Sequence, residues 1–235
     1  VARWFSAANT GEYADACEQE GGKAAWRRGY HRSKSQRRRS VLVYEVEQKF
    51  RVSDPGVIER RLVALAARFR EPVEQVDRYF NHPCRDFART DEAFRIRRVG
   101  DDVAVTWKGP RIDSATKTRR EMELGLAEAG SLPGGPRRGQ ATLDRWTELL
   151  EALGFCRVRD VAKRRRSARV PWQGTEVEVA LDSVAGLGDF VELELQASQG
   201  EVPQAIACLE SLARELGCEG SERRSYLELL IAAGR

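Results

Sequence analysis

Acidic and basic side chains recur two residues apart along several short stretches of this sequence. Glu45, Glu47 and Lys49 alternate with Tyr44, Val46 and Phe50, Arg95 and Arg97 with Phe94 and Ile96, and Thr106 and Lys108 with Val105 and Trp107. Lys117, Arg119, Glu121 and Glu123 form one continuous row opposite Met122 and Leu124, and Lys163 and Arg165 repeat the spacing. Glu176, Glu178 and Asp182 alternate with Val177, Val179 and Leu181, and Glu192 and Glu194 with Val191, Leu193 and Leu195. Residues i and i+2 of a strand point to the same side, so each set makes one charged face.

Solvent accounts for any single face of this kind. It does not account for several rows that are purely acidic or purely basic. Like charges about 4 Å apart repel by about 4 kcal/mol at an effective dielectric near 20, so such clusters need counter-charge. Carboxylates on rigid strands suit Mg²⁺ or Mn²⁺, hard cations that take oxygen ligands and keep waters and substrate phosphates. Arg and Lys converging from several strands suit a triphosphate, which Arg grips with paired N–H donors. Both sets in one lumen point to metal-assisted phosphoryl or nucleotidyl transfer. No GxxxxGK[ST] phosphate loop offers another route.

The elements that must position these rows can be read from the same chain. A strand is expected over Val41–Val52, and Asp54-Pro55 then opens a helix as N-cap and first helical residue. Its apolar stripe reads Val57, Leu62, Leu65, Ala66 and Phe69. Strands are expected around Gln75–Phe80, Ala93–Val99, Val103–Lys108 and Lys117–Leu126, with Gly100-Asp101 as a hairpin turn. A Gly/Pro-rich loop spans Gly130–Gly139, and a helix over Thr142–Leu153 is closed by Gly154. Strands resume at Phe155–Val170, Glu176–Ser183 and Asp189–Gln196, followed by helices over Val202–Leu216 and Ser221–Ala233. Many closely spaced strands with interspersed helices argue for an antiparallel α+β barrel over a doubly wound sheet.

Composition narrows the function classes. Hydrophobic residues make up 41% of the 235, enough for a real core, and charged residues 32%, above the usual ~25%. Forty basic residues nearly balance 36 acidic ones, which argues against a simple nucleic-acid binder. Five cysteines without CxxC spacing and two histidines argue against a zinc site or a disulfide framework, and reduced thiols are expected. No apolar run reaches the ~18–20 residues that span a bilayer, and Val1–Gly22 lacks a signal-peptide core, so a cytoplasmic location is expected. Residues 1–40 differ from the rest, with a basic run over Lys23–Ser40. Two readings stand, a polyphosphate- or nucleic-acid-binding arm and a disordered extension without a role, and the second is the expectation. Residues 41–235 then form the folded domain.

Glu45-Val46-Glu47-Gln48-Lys49 is an ExExK motif on a first strand. Arg95-Ile96-Arg97, Trp107-Lys108-Gly109-Pro110, Lys117 to Glu123, Lys163 with Arg165, Asp182, and Gly188 to Glu194 follow it in order. With these motifs the chain resembles the CYTH superfamily, the triphosphate tunnel metalloenzymes, over about residues 41–232. Within it, Tyr44–Val52, Gly186 to Phe190, and Arg224-Ser225-Tyr226 with Leu229-Leu230 are most similar to bacterial class IV adenylyl cyclases. The resemblance implies an eight-stranded antiparallel β-barrel forming a tunnel, with flanking helices, Mg²⁺ or Mn²⁺ as cofactor, and ATP or inorganic triphosphate as ligand. It implies Glu45, Glu47, Asp182, Glu192 and Glu194 as metal ligands, with Glu121 and Glu123 either holding a second metal or tuning the basic residues around them. Lys49, Arg95, Arg97, Lys108, Arg119, Lys163 and Arg165 would bind the triphosphate, Lys49 also orienting the attacking group. A homodimer is suggested on the same ground. Such a cyclase directs the ribose 3′-hydroxyl at the α-phosphorus and releases pyrophosphate. One departure is that Arg-Ser-Val-Leu-Val at 39–43 replaces a His-Phe pair common shortly before ExExK in cyclases.

Two other readings stay open. The same tunnel serves a hydrolase of tripolyphosphate, thiamine triphosphate or nucleoside triphosphates if water attacks a terminal phosphorus. A non-catalytic polyphosphate- or RNA-binding module is the third, although all the main acidic positions are present. His82, beside Pro83 and Cys84, reads as a loop residue, Tyr226 as a packing residue of the last helix, and Trp107 as part of the outer apolar layer.

Overall fold

The computed structural model describes residues 43–111, 119–126 and 138–234. The basic run over Lys23–Ser40, Lys117 and most of the Gly/Pro-rich segment lie outside the described residues. The first strand, β1 (Val43–Val52), leads into helix α1 (Pro55–Ala64), whose N-cap Asp54 accepts from the Gly56 and Val57 amides. The two-residue strand β2 (Arg68–Phe69) follows, then β3 (Val73–Asn81), β4 (Ala93–Val99), β5 (Asp102–Arg111) and β6 (Arg119–Gly125). Helix α2 (Arg138–Ala152) precedes the long strand β7 (Cys156–Trp172), β8 (Thr175–Val184) and β9 (Gly188–Ser198), and the chain closes with α3 (Val202–Glu215) and α4 (Tyr226–Ala232).

Eight strands pair in the order β1-β9-β8-β7-β3-β4-β5-β6, every pair antiparallel, and β2 adds to β7. The sheet curls into a half-barrel. Lys108 of β5 comes within 3.7 Å of Glu45 of β1, so the curl carries the far end of the strand order back to its start.

Most of the buried apolar side chains of the strands face outward under helices, while Met122 and Leu124 of β6 stay exposed. Val46, Phe50, Val179, Val191 and Leu193 are buried with Ile58 and Leu62 of α1 and Leu209 and Leu212 of α3. Phe80, Ile96 and Val103 are buried with Leu143 and Leu150 of α2. A buried guanidinium locks that second contact: Arg78 donates to Asp160 at 3.0 Å, to Asp144 at 3.1 Å and to the Thr147 hydroxyl at 2.9 Å. The third cluster differs, because it lies on the inner face. Tyr79, Val161, Val184 and Phe190 meet Tyr226, Leu229 and Leu230, so α4 covers one end of the concave side.

Differences from the expected elements have local causes. The apolar stripe suggested a longer first helix, but α1 ends at Ala64 and the chain turns at Ala66 with φ 59°. Phe69 then pairs with Ala168 of β7. The helical spacing continues across the boundary because both segments pack on one core. The last helix starts at Tyr226 because Ser221 bridges to Phe50 and Glu222 N–H donates to the Lys49 carbonyl at 2.7 Å, an edge pairing that holds this stretch extended. Gly154, at φ 89°, follows α2 as expected. Trp107 does face outward, its indole N–H donating to Glu92 at 2.9 Å, and His82 sits in a turn against Phe155.

The start of α2 rests on the β4–β5 turn, where Asp101 accepts from the Gly139 amide at 3.0 Å. A Cβ on Gly139 would lie 2.4 Å from the Gly100 carbonyl oxygen, a rigid backbone atom. Gly139→Ala is therefore expected to lower stability by about 1–3 kcal/mol in chemical denaturation. An unchanged midpoint would show that this contact yields freely.

Candidate functional site

Directly opposed residues in an antiparallel pair share a face. Lys49 opposes Glu192 and Glu47 opposes Glu194 across β1–β9, and Glu194 opposes Glu178 across β8–β9. Asp182 opposes Arg165, and Lys163 opposes Gln75. Asp77 opposes Arg97, Tyr79 opposes Arg95, and Arg95 opposes Thr106. Thr106 opposes Glu123, and Lys108 opposes Glu121. Every described residue expected at the site therefore falls on one concave face.

The basic side chains there are organised around two buried carboxylates. Asp77 accepts both N–H groups of Arg97, at 2.7 and 2.8 Å, one from Arg95 at 3.2 Å, and the Gln75 amide at 3.1 Å. Burial alone would raise the Asp77 pKa, but Arg95 and then Arg97 outweigh it and hold the carboxyl well below its usual range. Asp182 accepts from Lys163 at 2.8 Å, from Arg165 Nε at 2.7 Å, and from the Tyr226 hydroxyl at 3.0 Å. Arg165 also bonds Glu192, which lies 3.9 Å from Lys49. Lys49, Lys163, Asp77 and Asp182 are each no more than 5% exposed. Burial, reinforced by Arg165, pushes the Lys163 pKa down against the pull of Glu192 and Asp182.

The acidic side is charged in excess. Lys108 pairs with Glu121 at 2.8 Å and approaches Glu45 at 3.7 Å, while Glu123 accepts from the Thr106 hydroxyl at 3.0 Å. Burial raises the Glu194 pKa to about 8, with Glu45, Glu47 and Glu178 pushing the same way. Glu45 is raised too, by burial first and then, against Lys108, by Glu121 and Glu47. Such mutual crowding is what a bound cation relieves, so the donor set fits a hard divalent ion. Among the described residues, no three ligating side chains converge tightly enough to hold one by themselves. Mg²⁺ commonly takes one or two carboxylates and completes its shell with water and substrate phosphates.

Arg119 sits at the margin, 3.8 Å from the Asp91 carboxylate. Three residues of the site went unread in the sequence: Asp77, Gln75 and the hydroxyl of Tyr79. Their signal was present, since Gln75, Asp77 and Tyr79 alternate like the other rows. Only one charge in that row hid it. Tyr226 packs as expected, and it also reaches the site.

An antiparallel half-barrel with one charged concave face defines the triphosphate-tunnel class of domain. The CYTH domain family matches residues 43–226. A protein of Methanocaldococcus jannaschii described as a putative adenylate cyclase is 32% identical over 190 residues, covering 79% of this chain and 97% of its own. A Pyrococcus horikoshii OT3 protein of solved structure superposes with a TM-score of 0.67 at 40% identity, covering 81% of this chain and 99% of that one. A Hippeastrum protein, described as a putative adenylyl cyclase with a dominant triphosphatase activity, shares the fold at TM-score 0.53 and 18% identity, over 83% of this chain and 97% of its own. The chain belongs to the CYTH domain family. None of its described helices is long and apolar enough to cross a membrane.

The unfolded chain releases the Glu194 proton near the ordinary 4.5, whereas the folded one keeps it to about 8. Between those values the folded state binds more protons, so stability falls as pH rises. Without divalent cation, Glu194→Gln should raise the melting temperature at pH 8 by about 2 °C or more and leave it unchanged near pH 4. Asp77 has the opposite slope: its contribution is present at neutral pH and is lost as pH falls below the ordinary 3.8. Asp77→Asn, which leaves two buried guanidinium groups short of charge, should cost about 3 kcal/mol in denaturant titration at pH 7.

Proposed function

We propose that this protein is a metal-dependent enzyme acting on a triphosphate, and that it converts ATP to cyclic AMP and pyrophosphate. The observation that carries the triphosphate is the curl that brings Lys108 to within 3.7 Å of Glu45, so that the basic and acidic groups of one concave face surround one lumen. The 32%-identical relative described as a putative adenylate cyclase supports the cyclase.

In this reading Arg95, Arg97, Lys163, Arg165 and Lys108 hold the phosphate oxygens, with Arg119 at the margin. Lys49, buried beside Glu192, orients the reacting phosphate. Glu45, Glu47 and Glu194 would hold Mg²⁺ or Mn²⁺, with Glu192 at the boundary and Glu121 and Glu123 available to a second ion. The bound ion supplies charge neutralisation at the phosphate oxygens. Asp182 is better used as an anchor for Lys163 and Arg165 than as a metal ligand, because both its oxygens already accept from them. The ribose 3′-hydroxyl gives its proton to water, and its oxygen bonds to the α-phosphorus. The bond from that phosphorus to the bridging oxygen breaks, and pyrophosphate leaves with the electron pair.

A second reading is a triphosphatase, favoured by the activity described for the Hippeastrum protein of the same fold. Here water attacks a terminal phosphorus in the same lumen.

The test is product analysis with Mg²⁺ or Mn²⁺ and either ATP or tripolyphosphate. Cyclic AMP with pyrophosphate is the expected outcome. Orthophosphate, released fastest from tripolyphosphate, would replace the cyclase with the triphosphatase, and no turnover of either would sink both. Glu47→Gln and Lys108→Ala should each lower kcat/KM by about a hundredfold or more while leaving circular dichroism unchanged.

A further inference from the structure

Helix α4 is tied to the charged face more closely than packing requires. Ahead of it, Ser221 bridges to Phe50 and the Glu222 amide donates to the carbonyl of Lys49 at 2.7 Å. The helix then starts at a defined residue. The Ser225 side chain accepts from the Glu228 amide at 3.1 Å, and the Glu228 carboxylate accepts from the Ser225 amide at 2.6 Å. That reciprocal cap places Tyr226 on the first helical position, 7% exposed, with Phe190 edge-on at 5.0 Å.

The polar contacts of Tyr226 all go to the site. Its hydroxyl donates to Asp182 at 3.0 Å, and its ring lies under two ammonium groups, Lys49 at 4.3 Å and Lys163 at 5.0 Å from the centroid. An aromatic face attracts a cation most strongly where water is excluded, and a hydrogen bond to a charged group is among the stronger ones. A residue needed only for packing would be served equally by Phe. The hydroxyl adds a hold on the carboxylate that in turn holds Lys163 and Arg165. Burial, then Glu192 and Asp182, keep the phenol protonated by raising its pKa far above the usual value.

We propose that Tyr226 is a positioning residue for polyphosphate recognition, its hydroxyl fixing Asp182 and its ring face carrying Lys49 and Lys163, which makes α4 part of the anion site. This rests on the triphosphate reading above, and it holds whether the reaction is cyclisation or hydrolysis.

The test is calorimetric titration of the metal-free full chain with tripolyphosphate. Tyr226→Phe, which keeps the ring, should weaken binding about tenfold, and Tyr226→Leu about a hundredfold. In turnover the loss should fall on KM more than on kcat. Circular dichroism and thermal unfolding confirm that each variant is folded. Should the Leu variant not fold, the Phe variant alone decides. Wild-type affinity in every folded variant would overturn the proposal. If the wild-type protein itself binds no tripolyphosphate, the functional reading fails, and the side-chain resonances of ¹³C-lysine, assigned through Lys49→Arg and Lys163→Arg, decide this inference separately. Signals of Lys49 and Lys163 that move in both Tyr226 variants uphold it, and unmoved signals refute it.

Discussion

A cation taken out of water costs several kcal/mol unless a counter-charge is fixed beside it, and the inner face of this half-barrel is organised by that constraint. Lys49 and Lys163 are almost wholly buried, and Arg95 and Arg165 are enclosed with them. They tolerate it because Glu192 lies beside Lys49 and because Asp77 and Asp182 sit among the others. Each carboxylate gathers cations from neighbouring strands, Arg95 and Arg97 in one case, Lys163 and Arg165 in the other. Without those two anions the basic face would favour water over the lumen.

The acidic wall follows the opposite rule. Glu45, Glu47, Glu178 and Glu194 crowd one face, and burial with their mutual repulsion raises the pKa values of Glu45 and Glu194. One part of the face thus carries cations held in fixed positions by carboxylates, and another carries carboxylates crowded against one another. A polyanion bridged by a divalent cation complements both at once. That complementarity does not depend on which phosphorus of such a polyanion reacts. Cyclisation and hydrolysis differ in where the nucleophile stands and how far water is excluded.

The scaffold achieves this with ordinary packing. Because strand side chains alternate, residues not facing the lumen form two apolar clusters on the outer face, one covered by α1 and α3 and the other by α2. The exception is α4, which reaches the inner face and closes one end with Leu229, Leu230 and Tyr226.

The alternation of charge and apolarity was enough to show the strands and the face each residue occupies. Glu45, Glu47, Lys49, Arg95, Arg97, Lys108, Lys163, Arg165, Asp182, Glu192 and Glu194 were all legible, because a period of two is a local property that needs no knowledge of neighbours. The role of Asp77 was not legible, since a single carboxylate between Gln75 and Tyr79 acquires meaning only when β4 brings Arg95 and Arg97 alongside. Nor was the second role of Tyr226, 44 residues from the carboxylate it binds. The extent of α1 was misread because helical spacing runs on into β2, and only pairing with β7 ends it. Local periodicity set which side chains point inward. Strand order and curl, fixed by contacts between residues far apart in the chain, decided which of those inward charges pair with one another and which crowd together.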